Sequence, residues 1–280
     1  MIEIAIQAAV KAGERIKEIY DKFDNDADTD YTTDSIVSYK SDNSPLTLAD
    51  KEANKVIEKY LKPLGLPILS EEGKVIPYSE RKNWDTFWLI DPLDGTREFV
   101  KRNGNFTVNI ALMENNTPIV GIIYVPVSGV LYVGELGKGA YKQELDLKRT
   151  DTKSAIDTTE KIIIKVSQTK NEDGIIAFKS LSHSGAKDNN YLNQFNVREI
   201  RKKGSSVKFC LVAEGIADMY YRNGTTMEWD TAAGEAILKA AGGIILNADT
   251  DTDLKYNKEN LENPPFCAMN AAIFETFKEL

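Results

Sequence analysis

Apolar positions along the chain follow two periods. Ile2, Ile6, Ala9, Val10, Gly13, Ile16 and Tyr20 recur every three to four residues, which predicts an amphipathic helix over the first twenty or so positions. A second helix is predicted to open at 45–50 and run to about Lys62, with Ala53, Val56, Ile57, Tyr60 and Leu61 facing inward and Pro63 and Gly65 ending it. Short unbroken apolar runs at 66–69 and 87–90 read as buried strands, and β-rich runs follow at 106–113, 119–125 and 130–135. Beyond the polar stretch 150–160 the pattern alternates. Strands are expected at 162–166, 175–178, 217–221, 244–246 and 266–269. Helices are expected near Tyr191, from Gly204, from Thr231 to Ala241 and from Ala271. The chain therefore predicts an α/β fold in two parts, an α+β part over 1–155 and an α/β part over 156–280.

Composition narrows the class. The 280 residues are 42% hydrophobic and 28% charged, as in a soluble globular protein with a substantial core. A formal net charge of −8 argues against a nucleic-acid polymer or an anionic membrane as partner, since both are bound by accumulated Lys and Arg. Charges interrupt the N-terminal helix, so it reads as neither a signal peptide nor a membrane span. With only Cys210 and Cys267, both in apolar surroundings, buried thiols and a cytoplasmic location are expected. Zinc and serine-hydrolase chemistries fall away, because there is one histidine and no G-x-S-x-G motif. The aspartate runs at 24–30 and 249–253 lack the Gly and Glu of an EF-hand loop and read as solvated loops.

The stretch richest in chemistry is Asp91-Pro92-Leu93-Asp94-Gly95-Thr96. It follows the strand run 87–90, so two carboxylates arrive at a strand's carboxyl end. Pro92 is expected to stop the strand, Gly95 to permit a tight turn, and Thr96 to begin a helix whose free N–H groups suit a phosphate oxygen. The same residues also spell an ordinary turn. Other acids follow strands or precede helices: Asp50 in a capping-box pattern with Thr47, Glu71 after 66–69, and Asp230 as an N-cap. An all-oxygen set of this kind selects Mg²⁺ or Mn²⁺, and several carboxylates at one point need cations to neutralise them.

Three ordered motifs, Ser70-Glu71-Glu72, Trp88 to Thr96, and Trp229-Asp230-Thr231-Ala232-Ala233-Gly234, resemble the inositol monophosphatase superfamily of Mg²⁺-dependent, lithium-sensitive phosphatases. The segments 42–47, 98–104 and 204–215 are most similar to its CysQ type of 3′(2′),5′-bisphosphate nucleotidase. The resemblance implies a layered αβαβα sandwich and two to three Mg²⁺ ions, Mn²⁺ being an alternative. It implies that Glu71, Asp91 and the Leu93 carbonyl hold one ion and Asp91, Asp94 and Asp230 a second, with a weaker third near Glu71. Thr96 and Asp50 match positions that orient and deprotonate the attacking water. Gly95, Thr96, His183, Ser205, Lys208 and Arg222 match positions that contact the substrate. The implied substrate is adenosine 3′,5′-bisphosphate, hydrolysed to AMP.

Two other readings remain at this point. An inositol or other sugar-phosphate phosphatase would share the fold, although that branch carries an acid or amide where this chain has Arg222. A non-catalytic protein binding Mg²⁺ or nucleotide is the third. The segments 24–39 and 165–174 are longer than the family's usual equivalents, and the oligomeric state is not legible from the pattern.

Overall fold

The computed structural model describes residues 1–22, 37–39, 45–149, 151–182 and 185–278. Most of the long segment 24–39 lies outside them, as does His183. Two sheets and their helices stack in five layers. The outermost layer is α1 (Ile2–Lys22) and α2 (Leu48–Leu61), which bury Ile6, Ile16, Ile57 and Leu61 against Trp88, Ile90, Ile110 and Ile122 of the first sheet. That burial is the folding consequence of the helical spacing in both segments.

The first sheet has seven strands in sequence order: β3 (Ile68–Ser70), β4 (Thr86–Asp94), β5 (Thr107–Glu114), β6 (Thr117–Val125), β7 (Val130–Glu135), β8 (Gly139–Glu144) and β9 (Ile162–Ile164). Only β3 and β4 pair parallel within it. A small hairpin, β1 (Val37–Tyr39) with β2 (Pro45–Thr47), precedes α2.

The middle layer holds α4 (Val207–Ala213) and α5 (Glu228–Ala240), between the first sheet's other face and the second sheet. Helix α5 lies on the first sheet in backbone contact. A Cβ at Gly121 would stand 2.1 Å from the Ala233 carbonyl oxygen, so only glycine admits the helix there. The second sheet runs β11 (Val197–Lys203), β10 (Ile175–Ser180), β12 (Met219–Arg222), β14 (Phe266–Asn270), β13 (Gly243–Asn247). Its outer face is closed by Leu192 of the helix Ala186–Leu192 and Ile273 of the C-terminal helix Ala271–Lys278. The αβαβα expectation holds.

The structure departs from the sequence reading in several places: the hairpin β1–β2 stands where a loop and the opening of a helix were expected, and a short helix, Thr152–Thr158, lies in the stretch read as a polar boundary. Strand β4 does not stop at Pro92 but continues to Asp94. Asp91 pairs with Asn109 and Asp94 with Thr107, so two residues of β4 oppose one of β5, and the bulge spares Pro92 a ladder bond. Strands β8 and β11 were not anticipated, because Lys142, Arg198, Arg201 and Lys202 mask their alternation. Helix α5 begins at Glu228, with Met227 as N-cap. Asp230 therefore sits in the first turn, and its carboxylate accepts the Met227 N–H at 2.8 Å.

Candidate active site

Four backbone devices bring the predicted acids together. The β4 bulge presents Asp91 and Asp94. Parallel pairing of β3 with β4, extended by the Glu71 N–H donating to the Ile90 carbonyl at 3.1 Å, sets Glu71 beside them. The first turn of α5 supplies Asp230. Thr47, the N-cap of α2, completes its capping box with Asp50. Glu71, Asp91 and Asp230 each offer an oxygen, all within 4.8 Å of one another. Asp94 lines the same cleft but is not one of that trio.

Glycine is required at the turn that follows. Gly95 has φ +97°, and a Cβ there would lie 2.8 Å from the Asn105 carbonyl oxygen. It releases the chain into α3 (Thr96–Val100), where the Thr96 hydroxyl donates to Asp50 Oδ1 at 3.0 Å and stands 3.4 Å from the Leu93 carbonyl oxygen. Asp50 is 3% exposed and does not line the cleft; it lies behind Thr96. Burial pushes its carboxyl up to about 7, against hydrogen bonds from the Thr47 hydroxyl and N–H that favour the anion.

The cleft encloses about 480 Å³. Glu71, Asp91, Leu93, Asp94, Gly95, Thr96 and Asp230 line it, and so do Ser205, Lys208 and Arg222 on the facing side. Burial raises the Asp91 and Asp230 carboxyls well above the usual range. Glu71 and Asp94 raise Asp91 further, and Asp94 and Glu71 raise Asp230. Asp94 goes up to about 6 by burial, partly offset by the Lys208 ammonium and the Ser206 N–H. Lys208 moves the other way, down to about 8, because it is buried; Asp94 opposes the shift. The Lys208 ammonium donates to the Ser205 carbonyl and lies 4.8 Å from the Tyr220 ring centre. Arg222 donates to the Thr225 carbonyl at 3.1 Å, while its buried Nε has no hydrogen-bond partner among the described residues.

The donor set fits a hard divalent cation. All donors are oxygens, and ligands opposite one another around one Mg²⁺ stand about 4.2 Å apart, close to the observed spread. Carboxylates this near each other in a buried place would otherwise have to take up protons.

Residue reading missed a supporting group. Glu98, 4% exposed, lines the cleft and accepts the Ser182 hydroxyl. Asn109, opposite Asp91 in the ladder, accepts the Ser206 hydroxyl at 2.7 Å, and that hydroxyl also pairs with Thr107 at 2.8 Å. Asparagine interrupting the apolar run Val108–Leu112 was the available signal. Cys210 and Cys267 are free and buried, as expected.

Known proteins resemble this chain at several distances. The family model described as the inositol monophosphatase family matches residues 1–277. The 3′(2′),5′-bisphosphate nucleotidase CysQ of Shigella flexneri is 41% identical, over 95% of this chain and 98% of its own length. The Haemophilus influenzae protein of the same name is 34% identical over 85% of each chain. The crystal structure of CysQ from Bacteroides thetaiotaomicron superposes with a TM-score of 0.78 at 43% identity, covering 95% of this chain and 96% of that one. The inositol monophosphatase from Anabaena, with a TM-score of 0.70 at 24% identity, shares the fold. Matched along almost its whole length, the chain belongs to the inositol monophosphatase family.

Proposed function

We propose that the protein is a Mg²⁺-dependent phosphomonoesterase that removes the 3′-phosphate of adenosine 3′,5′-bisphosphate, leaving AMP. The carrying observation is one cleft with buried Asp91 and half-buried Glu71, Asp94 and Asp230 on one side and two buried cations, Lys208 and Arg222, on the other. The family and the names of its relatives at 41% and 34% identity support the same class.

In this reading Glu71, Asp91 and the Leu93 carbonyl would hold one Mg²⁺, Asp91, Asp94 and Asp230 a second, with room near Glu71 for a weaker third; Mn²⁺ would serve in its place. Bound ions of this kind lower the pKa of water and stabilise charge on the attacking and leaving oxygens. The chain's own residues do the rest. The Thr96 hydroxyl donates a hydrogen bond to Asp50 Oδ1, which leaves its lone pairs to accept from and orient a water. Asp50, with its carboxyl at about 7, is matched to take a proton near neutral pH. The backbone N–H groups of Gly95 and Thr96 contact the phosphate being transferred. No covalent enzyme intermediate is needed.

Lys208, with Ser205 beside it, and Arg222 give the selectivity, and His183 joins them in this reading. A planar guanidinium with an unsatisfied Nε suits a second phosphate, whereas sugar hydroxyls would call for an acceptor. The two buried free thiols accord with a cytoplasmic location. Among the described residues no helix is long and apolar enough to cross a membrane.

The test compares phosphate release from adenosine 3′,5′-bisphosphate and from inositol 1-phosphate with Mg²⁺ present, in the wild type and in Arg222→Gln. The expected result is a clear preference for the nucleotide. The variant should raise KM for it about tenfold or more, the loss of a charge-assisted hydrogen bond, and leave the inositol ester unaffected. A wild-type preference for inositol 1-phosphate would sink the assignment.

A further inference from the structure

A second cavity, of about 270 Å³, lies behind the catalytic cleft and shares Ser205 with it. Its walls are the backs of the two loops that build that cleft. On one side stand Asn105 and Phe106, on which the Gly95 turn packs so closely that a Cβ at Gly95 would lie 3.3 Å from the Phe106 Cα. On the other side are Lys203, Ser205 and Leu211. Gly204 seals the line between the two: a Cβ there would be 2.9 Å from the Asn105 carbonyl oxygen. A body entering the second cavity therefore presses on both loops from behind.

Ser205 is the element that would respond. It holds φ +49°, a left-handed conformation that a residue with a side chain keeps only under constraint from its surroundings. Its carbonyl accepts the Lys208 ammonium, and the next N–H, of Ser206, donates to Asp94. A change of the Ser205 backbone angles thus shifts a metal-side acid and a substrate-side cation together.

The lining states the ligand's chemistry. Phe106 is fully buried, and Val130 and Leu211 are half-buried, so the interior is apolar. Lys203 adds a cation whose ammonium makes no ion pair or side-chain hydrogen bond among the described residues. The volume is near the lower end for ligand sites, about 300 Å³, enough for one or two fused rings. We propose that this cavity is an effector site for a small flat organic anion, an aromatic carboxylate, whose binding lowers turnover by displacing the Ser205 backbone.

The kinetic arm rests on the reading of the first cleft as catalytic; the binding arm does not. The experiment titrates the Mg²⁺-loaded protein with 2-naphthoate, following binding by saturation-transfer NMR and phosphate release from the nucleotide in parallel. Saturable binding is expected, with kcat falling and KM for the nucleotide rising, because Asp94 and Lys208 shift together. Leu211→Trp, which fills the cavity, and Lys203→Met, which removes the cation, should each weaken naphthoate binding about tenfold or more. Competition between naphthoate and nucleotide, equal binding in both variants and wild type, or unaltered turnover at saturation would overturn the inference. Bound naphthoate with no activity on either phosphate ester would instead overturn the proposed function, and the effector role with it.

Discussion

Stability of the metal-free protein should fall as pH rises from acid to neutral, opposite to the usual response of surface carboxylates. Asp50 provides the cleanest measure. Burial raises its carboxyl from 3.8 to about 7 in the folded chain, so the neutral acid is the form the fold prefers. A group with a raised folded value contributes its full stabilisation below its unfolded pKa and loses it as pH passes the folded one. The window is therefore roughly pH 4 to 7. A shift of about three units corresponds to about 4 kcal/mol. At about 2.1 cal/mol/K per residue of unfolding entropy, that is a fall in Tm of about 7 °C for a chain of 280 residues. Asp91 and Asp230, also raised by burial, add to it in the same direction.

The assay is thermal denaturation in chelator at several pH values, with wild type compared against Asp50→Asn. Asparagine keeps an acceptor for the Thr47 N–H and a neutral contact to Thr96, and it does not titrate. The variant should lose the Asp50 share of the slope, and added Mg²⁺ should flatten the rest, because the cation replaces the proton as the neutralising charge. A metal-free wild type as stable at pH 8 as at pH 5, or a variant with the wild-type slope, would refute the account of Asp50 as a buried, neutral-preferring acid.

Two further outcomes follow from the geometry. Asp94→Asn should lower phosphate release about a thousandfold, ~4 kcal/mol of barrier, and weaken Mg²⁺ binding measured by calorimetry; unchanged release would assign the activity to a contaminant. Gly121→Ala forces a methyl group to within 2.1 Å of the Ala233 carbonyl oxygen, so it should destabilise the protein by about 1–3 kcal/mol in urea denaturation. It should also weaken Mg²⁺ binding, since the displaced helix carries Asp230, and normal stability would show that α5 does not rest on β6 through backbone contact.

How far the sequence carried depended on whether a feature is local. The Gly95 turn, the helix at Thr96 and the Thr47–Asp50 capping box are made by residues within a few positions of each other, and all were legible. The bulge at Pro92 was not, because it is a relation of register between β4 and β5 that no single strand displays. Helix α5 was read as starting three residues late, because Met227 is not a residue that caps and Asp230 is. Strand β11, at a sheet edge, hid behind the basic side chains that keep edges soluble, and β8, paired on both sides, behind Lys142. The meeting of Glu71, Asp91 and Asp230 was implied only by the resemblance, since it is set by sheet pairing and by the seat of α5 on Gly121.

The competing readings of each acid, structural cap or chemical group, turn out to be compatible for a stereochemical reason. A carboxylate has two oxygens, and Asp91, Asp94 and Asp230 each give one to a backbone N–H. Asp91 Oδ1 accepts the Leu93 N–H at 3.0 Å, Asp94 Oδ2 accepts the Ser206 N–H, and Asp230 Oδ2 accepts the Met227 N–H. Asp50 Oδ2 takes the Thr47 N–H at 2.7 Å, and its Oδ1 takes the Thr96 hydroxyl at 3.0 Å. In Asp91, Asp94 and Asp230 the second oxygen makes no hydrogen bond among the described residues. The backbone bond fixes the plane of the carboxylate, so the free oxygen is held in one direction before any ligand arrives. A backbone N–H, in a bulge for Asp91, from Ser206 for Asp94 and in a helix cap for Asp230, thus orients each carboxylate, so a turn or cap signal at an aspartate does not by itself argue against chemistry.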